Sequence, residues 1–383
     1  GVGTVIKQTQ AILDELNREY QDSVHFKLYL LTGDYSTHLP EYSVETLKQN
    51  IDVCERSGGK VYLIPIRKKD IMFGDPEQWK ELCQEGAKLC SKIINDNPYT
   101  IVLAHDTAFA QIPLELQKLS SSKLINKPYQ ALWIPHSTSW NYNGHTIDGI
   151  ANWPERHQWE LKAFQEASRC NYKIGVICQT IKEDVLSAPF NVPESAMMFY
   201  RTGIVLDKYK NSLDENFVAK VLKEKSIPLD KKLIFSVGRA NPLKGLDITL
   251  EMYCHLKKLY SDIHLVLLAP VSDYMPSYQE MLKTRIKNEQ LEVSLIDEFD
   301  PDLAHVIYQW PKTTIISLLS RMDTQPLTVM EARVNPKNSI ILVSDPERIG
   351  KQVCHGKNGF SCSLQNLEAV FEKPSVLTES LMQ

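Results

Sequence analysis

Several features are missing from this chain of 383 residues, and each absence narrows what it can do. No run of five or more Lys and Arg occurs and the formal net charge is -4, which argues against a nucleic-acid binder relying on bulk basic charge. No apolar stretch approaches the ~20 residues that span a bilayer, so any membrane contact is expected to be peripheral. No C-x-x-C pair and no metal-ligand spacing appears among the eight cysteines, Cys54, Cys83, Cys90, Cys170, Cys178, Cys254, Cys354 and Cys362. Scattered cysteines in a long chain read as reduced thiols, and with no visible secretory leader the expected location is the cytoplasm. Short-period repeats and low-complexity segments are missing too.

What is present is length and alternation. A chain of this size is expected to hold two ordinary domains, and 43% hydrophobic residues suffice for two cores. Short Val/Ile/Leu-rich runs, apolar on both faces, recur at 25–32, 60–66, 100–105, 130–135, 173–179 and 196–200. A second set follows at 232–238, 263–269, 292–296, 313–319 and 339–344. Helical patterns lie between them, as at 4–17, 76–95, 156–168, 246–260 and 278–289. Strand-helix alternation of this kind predicts parallel sheets with right-handed crossovers. It breaks once, in a Lys/Asp/Asn-rich stretch ahead of Pro228. The expected architecture is α/β, with two facing doubly wound, Rossmann-like domains at 1–205 and 229–365 and a linker at 206–228. The segment 366–383 is expected to pack back on the first domain. Ligands of such sheets bind at the carboxyl ends of the strands, here in the expected interdomain cleft.

The charged residues worth attention fall just after expected strands. Phe235-Ser-Val-Gly-Arg-Ala-Asn-Pro-Leu-Lys-Gly245 ends a strand near Gly238 and then places two cations, Arg239 and Lys244. A nucleoside diphosphate leaving a sugar accumulates negative charge on phosphate oxygens, and an Arg fork plus a Lys point charge would stabilise it. After the strand at 313–319 comes Ser320-Arg-Met-Asp-Thr-Gln-Pro-Leu-Thr-Val-Met-Glu-Ala332. Asp323 can accept hydrogen bonds from sugar hydroxyls and Glu331 from both hydroxyls of a ribose. Pro326 and Leu327 open a helix whose first amides suit a diphosphate. In the first domain His105, Asp106 and His136 sit at strand ends where catalytic loops emerge. The stretch 136–159 is long and irregular; Trp140, Trp153 and Trp159 in it could form a platform for a sugar ring or simply pack the loop. Arg169, Lys173 and Arg201 are candidates for an acceptor phosphate that no spacing demands. Asp300-Pro-Asp302 has a metal-motif spacing, but in a loop away from these residues, and no metal site is expected.

Taken together, the segments at 235–245 and 320–332 resemble glycosyltransferase family four and its neighbours of the GT-B superfamily, trehalose-phosphate synthases included. The departures are Asp323, where the family usually has Glu, and Thr324-Gln325-Pro326 in place of Pro-Phe-Gly. Gly1-Val-Gly-Thr4 resembles the end of the family's glycine-rich loop, which implies that Gly1 and Gly3 approach the donor phosphate and that a first strand precedes them. Arg201-Thr-Gly-Ile-Val205 resembles the exit from the first domain, and Asn358-Gly-Phe360 a late structural turn. The resemblance implies a retaining, metal-independent hexosyl transfer to a hydroxyl of a small or carbohydrate-like acceptor. A nucleoside-diphosphate sugar, with a UDP-sugar favoured, would be the donor, and no cofactor is needed. It favours His105 as the loop histidine; the trehalose-phosphate-synthase branch adds Asp106 and His136 and a sugar-phosphate acceptor. Domain closure would then shield the donor from water. The departures keep a second reading open, a catalytically silent nucleotide-sugar scaffold or sensor.

Overall fold

Strands whose residues are apolar on both faces need cover on both faces, and the computed structural model supplies it with helices. It describes residues 2–20, 26–34, 48, 51–52, 54–65, 76–139, 153–170, 172–201, 203–204, 206, 209, 211–271, 275–298, 300, 302–335, 339–344, 349 and 352–364. The chain divides into two units, Gly1–Val205 and Leu206–Gln383. Among the described residues no helix is long and apolar enough to cross a membrane.

In the first unit, helix α1 (Val2–Glu19) precedes β1 (Tyr29–Asp34) and β2 (Lys60–Pro65), which pair in parallel. Next come α2 (Pro76–Asp96), β3 (Thr100–His105), α3 (Ile112–Ser121), β4 (Tyr129–Ile134), α4 (Trp153–Ala167), β5 (Lys173–Val176), α5 (Gln179–Leu186) and β6 (Met197–Phe199). Strands β3 to β6 form a parallel sheet in sequence order. Its core is large and aromatic: Trp79, Trp133 and Phe164 have no exposed surface. The strand expected at 173–179 stops at Val176, and Gln179 opens α5 instead.

The second unit runs α6 (Glu215–Glu224), β7 (Lys232–Val237), α7 (Leu246–Leu259), β8 (Ile263–Leu268), α8 (Pro276–Asn288), β9 (Val293–Ile296), α9 (Leu303–Gln309), β10 (Thr313–Leu318), α10 (Leu327–Val334), β11 (Ile340–Ser344) and β12 (Phe360–Cys362). Its six strands are all parallel in the order β12-β11-β10-β7-β8-β9. Counted from β7, this is the doubly wound order 3-2-1-4-5-6 read from the far edge. The chain reverses its direction of winding between β7 and β10, where such sheets bind their ligands. The stretch 206–228, expected as a linker, contains α6. Asp214 caps its first turn through Phe217 N–H at 3.0 Å, and Val218 and Leu222, four apart, are buried.

Candidate functional site

The two motif segments meet at the switch point. β7 ends at Val237, Gly238 follows, and a 3-10 turn at Pro242–Lys244 leads into α7. Asn241 starts that turn by accepting a hydrogen bond from Leu243 N–H at 2.8 Å. Gly245 ends it in the left-handed region at φ 61°, where a Cβ would lie 1.9 Å from the carbonyl oxygen of Leu319. Only glycine permits this approach, and it seats the β7 loop directly on the end of β10. The backbone N–H groups of Arg321 and Met322 then donate to Leu243 O at 2.8 and 3.3 Å. A Cβ at Gly238 would press on the Lys244 side chain at 3.2 Å, so its bareness leaves that lysine its path.

Along this path Lys244 Nζ reaches Asp323 and forms an ion pair, both side chains partly buried. The pair joins the loops after β7 and β10. Arg239 is exposed beside Gly238 and, among the described residues, makes no hydrogen bond or ion pair. Pro326 precedes the first helical residue of α10, Leu327, and Glu331 lies one turn into that helix. Glu331 is engaged by the hydroxyl of Tyr209. Burial, then the charge of Glu331, pushes that hydroxyl well above the usual tyrosine range.

A clamp that the motifs do not announce supports these groups. Arg321 grips Asp247, at the start of α7, with both ends of its guanidinium at 2.7 and 2.5 Å, and also donates to Pro242 O at 2.7 Å. The Tyr278 hydroxyl on α8 donates to Asp247 Oδ1 at 2.6 Å. Burial pulls the Asp247 carboxyl upward, but the Arg321 and Tyr278 hydrogen bonds outweigh it and hold the group below its ordinary range. The β10 loop is thereby fixed to two helices.

In the first unit, His105 ends β3 and His136 follows β4, and their rings meet: His105 Nδ1 lies 3.0 Å from His136 Nε2. Burial, then the neighbouring His136, brings His105 down to about 4, and burial also lowers His136. Both rings are therefore neutral at pH 7, one donating and the other accepting. Tyr200 packs edge-on to His105 with ring centroids 5.7 Å apart. Asp106 takes φ 67° and ψ 177°, a region that costs a non-glycine residue about 1–3 kcal/mol. Such strain persists only where the surroundings enforce it, and here they do. Asp106 N–H donates to Ile134 O at 3.0 Å, Trp133 Nε1 donates to Asp106 O at 3.0 Å, and Asp106 Oδ1 accepts from Thr107 N–H at 2.9 Å.

The other candidates divide. Gly3 lies in the first turn of α1, a helix and not a loop. Gly1 and Trp140 fall outside the described residues. Trp159 is no sugar platform: it is buried against Trp79, and its Nε1 donates to Thr107 O at 2.9 Å. Arg201 is exposed with its guanidinium 5.9 Å from the centre of the Phe199 ring. Lys173 starts β5, at the amino end away from the loops in question, and donates to Ser195 O, while Arg169 pairs with Glu166 at 3.4 Å. Asp300 accepts from the N–H groups of Asp302 and Leu303 at 3.1 and 2.9 Å, which makes it a helix-end group for α9. In the late turn both glycines take a positive φ, Gly356 at 73° and Gly359 at 157°. All eight cysteines are free. The groups that sequence reasoning missed are Asp247, Tyr278, Tyr209 and Arg321, whose partners stand far off in sequence.

Over most of the chain the fold matches solved glycosyltransferases of the GT-B type, proteins of two Rossmann-like domains. Sucrose-phosphate synthase of Thermosynechococcus elongatus superposes with a TM-score of 0.63 at 12% identity, covering 92% of this chain and 90% of that one. Anabaena HepE, solved in complex with UDP and glucose, gives 0.61 at 12% identity over 97% and 88%. The UDP-forming trehalose-phosphate synthase of Burkholderia vietnamiensis gives 0.62 at 11% identity over 93% and 92%. Residues 218–374, most of the second unit, match the family of glycosyl transferases group 1. An uncharacterized glycosyltransferase of Haemophilus influenzae is 30% identical over 146 residues, a match spanning 38% of this chain and 39% of that protein.

Proposed function

We propose that this protein is a retaining, metal-independent glycosyltransferase that moves a hexosyl group from a nucleoside-diphosphate sugar to a hydroxyl of a small or carbohydrate-like acceptor. The observation that carries the reading is the Lys244–Asp323 pair at the switch point of the second sheet, with Arg239 exposed beside it. A cation and a carboxylate placed together there suit a ligand that carries both phosphate and hydroxyl groups. Lys244 and Arg239 take the charge that grows on the diphosphate as the sugar departs, helped by the first-turn amides of α10. Asp323 turns from the lysine to the sugar hydroxyls, and Glu331 exchanges the Tyr209 hydroxyl for those of the ribose. The two cations, Lys244 held by Asp323 and Arg239 exposed beside it, take the role that a metal fills elsewhere. Retention rests on the family resemblance.

From the first unit, His105 acts as a neutral imidazole, able to hydrogen-bond a sugar hydroxyl without adding a positive charge. Asp106 and His136 orient the acceptor. UDP is the first nucleotide to try, since HepE was solved with UDP and glucose. The sucrose- and trehalose-phosphate synthases among the fold relatives support a sugar phosphate as one acceptor class, with Arg201 exposed to meet its phosphate. Free cysteines suit a cytoplasmic setting. The test is turnover of UDP-, GDP-, ADP- and TDP-sugars against an acceptor panel, with slow donor hydrolysis as the baseline. Loss of turnover in Lys244→Ala supports the reading. Nucleotide binding with neither transfer nor hydrolysis would instead favour a silent scaffold.

A further inference from the structure

A buried ionic network lies beneath the loops that carry His105 and His136. Glu160, on α4, has no exposed surface, yet its carboxylate is met from three directions. Thr107 Oγ1 donates to Oε1 at 2.7 Å, Ser139 N–H donates to Oε2 at 2.7 Å, and Arg156 Nε donates to Oε1 at 2.6 Å. Arg156 is also buried, and its Nη2 reaches the carbonyl and hydroxyl oxygens of Ser137 at 3.2 and 3.0 Å. Around this centre Thr138 Oγ1 donates to Asp184 at 2.9 Å, and Ser139 Oγ lies 3.0 Å from His157 Nδ1.

The chain positions of these partners give the network its meaning. Thr107 directly follows the strained Asp106, and Ser137 to Ser139 directly follow His136. One carboxylate therefore binds the turn after β3 to the turn after β4. Burying an ion pair is a poor route to stability, since a well-packed apolar pair serves as well. What it supplies here is a fixed geometry, because Oε1 is aimed at the turn after β3 and Oε2 at the loop after β4.

We propose that Glu160, with Arg156 as its counter-ion, is a positioning residue that locks the Asp106–Thr107 turn to the His136–Ser139 loop and so sets His105 and His136 at hydrogen-bond distance. The geometric claim stands by itself; only its consequence for turnover rests on the function proposed above.

The test uses the full chain with ¹⁵N-labelled histidine. Thr107→Val cuts the arm to β3 and spares the ion pair; Glu160→Gln removes the charge. Both should break the coupled, depressed titration of His105 and His136, moving both toward the ordinary histidine range, while His264 of the second unit keeps its value. Hydrolysis of UDP-glucose should lose at least about tenfold in kcat with little change in KM, since the donor groups are untouched. Thr107→Val, folded by its circular dichroism, with both histidines titrating as in the parent would overturn the proposal. Shifted histidines with unaltered turnover would uphold the positioning and remove the histidines from the reaction.

Discussion

Gly245 offers a quantitative test of how the two donor loops are joined. It is left-handed at φ 61°, and a Cβ there would stand 1.9 Å from Leu319 O, more than 1 Å inside van der Waals contact. Gly356 is the natural control, at φ 73° with open space where its Cβ would be. Alanine at either position carries the left-handed penalty of about 1–2 kcal/mol, partly offset by a smaller loss of chain entropy on folding. Gly356→Ala should therefore cost about 1 kcal/mol or less. Gly245→Ala must also push a strand-end carbonyl aside, and forced backbone shifts of this kind cost about 1–3 kcal/mol more. Urea unfolding can be read at Trp310, the single tryptophan after residue 205, through its ¹⁹F signal in fluorotryptophan-labelled protein. The expected gap between the variants is about 2 kcal/mol, with donor binding weakened in Gly245→Ala alone. Equal costs within about 0.5 kcal/mol would refute the close approach of the loops.

Other consequences are separable. Lys244→Ala should lower kcat by about 10²–10³, the usual cost of removing one preorganised charge-stabilising donor, with acceptor KM nearly unchanged in steady-state assays. Glu331→Gln should erase any preference for UDP over 2′-deoxy-UDP in calorimetric titrations, since the charge that takes the ribose hydroxyls is gone. Arg321→Lys replaces a two-pronged contact with Asp247 by a point charge and should cost about 1–2 kcal/mol in urea unfolding. His105 has a folded-state value near 4, below its unfolded 6.5, so the unfolded chain binds the proton first. Its contribution is constant above pH 6.5 and is lost as pH falls from 6.5 to 4, by up to ~3 kcal/mol. Comparing the parent with His105→Gln across that window isolates this slope, and parallel curves would contradict it.

Much of this was legible in the sequence because parallel strands buried on both faces leave continuous apolar runs, and β3, β7, β8 and β10 lie within a residue of their expected limits. The candidate donor residues could be named because strand ends and a family pattern marked them. The helix Glu215–Glu224 is hard to read in the sequence because its Lys- and Glu-rich surface hides a narrow apolar stripe, although Asp214, Val218 and Leu222 signal it. Strand β12 is three residues long, too short for any period to show. The supporting shell was beyond reach for a different reason. Asp247 and Arg321 stand 74 residues apart and Glu160 and Thr107 stand 53 apart, and nothing local tells a buried clamp from a solvated charge. Asp106 could be singled out by its place after β3, but its backbone strain is visible only in three dimensions.

As the donor domain of a glycosyltransferase, the second unit should hold a nucleoside diphosphate on Lys244, Arg239 and Glu331. Calorimetric titration of UDP, GDP, ADP and TDP into the full chain, repeated with Lys244→Ala, tests it most directly. Saturable binding of one nucleotide family, weakened at least tenfold by the substitution, is expected. Binding that Lys244→Ala leaves intact, or no binding of any of the four to a folded protein, would contradict it.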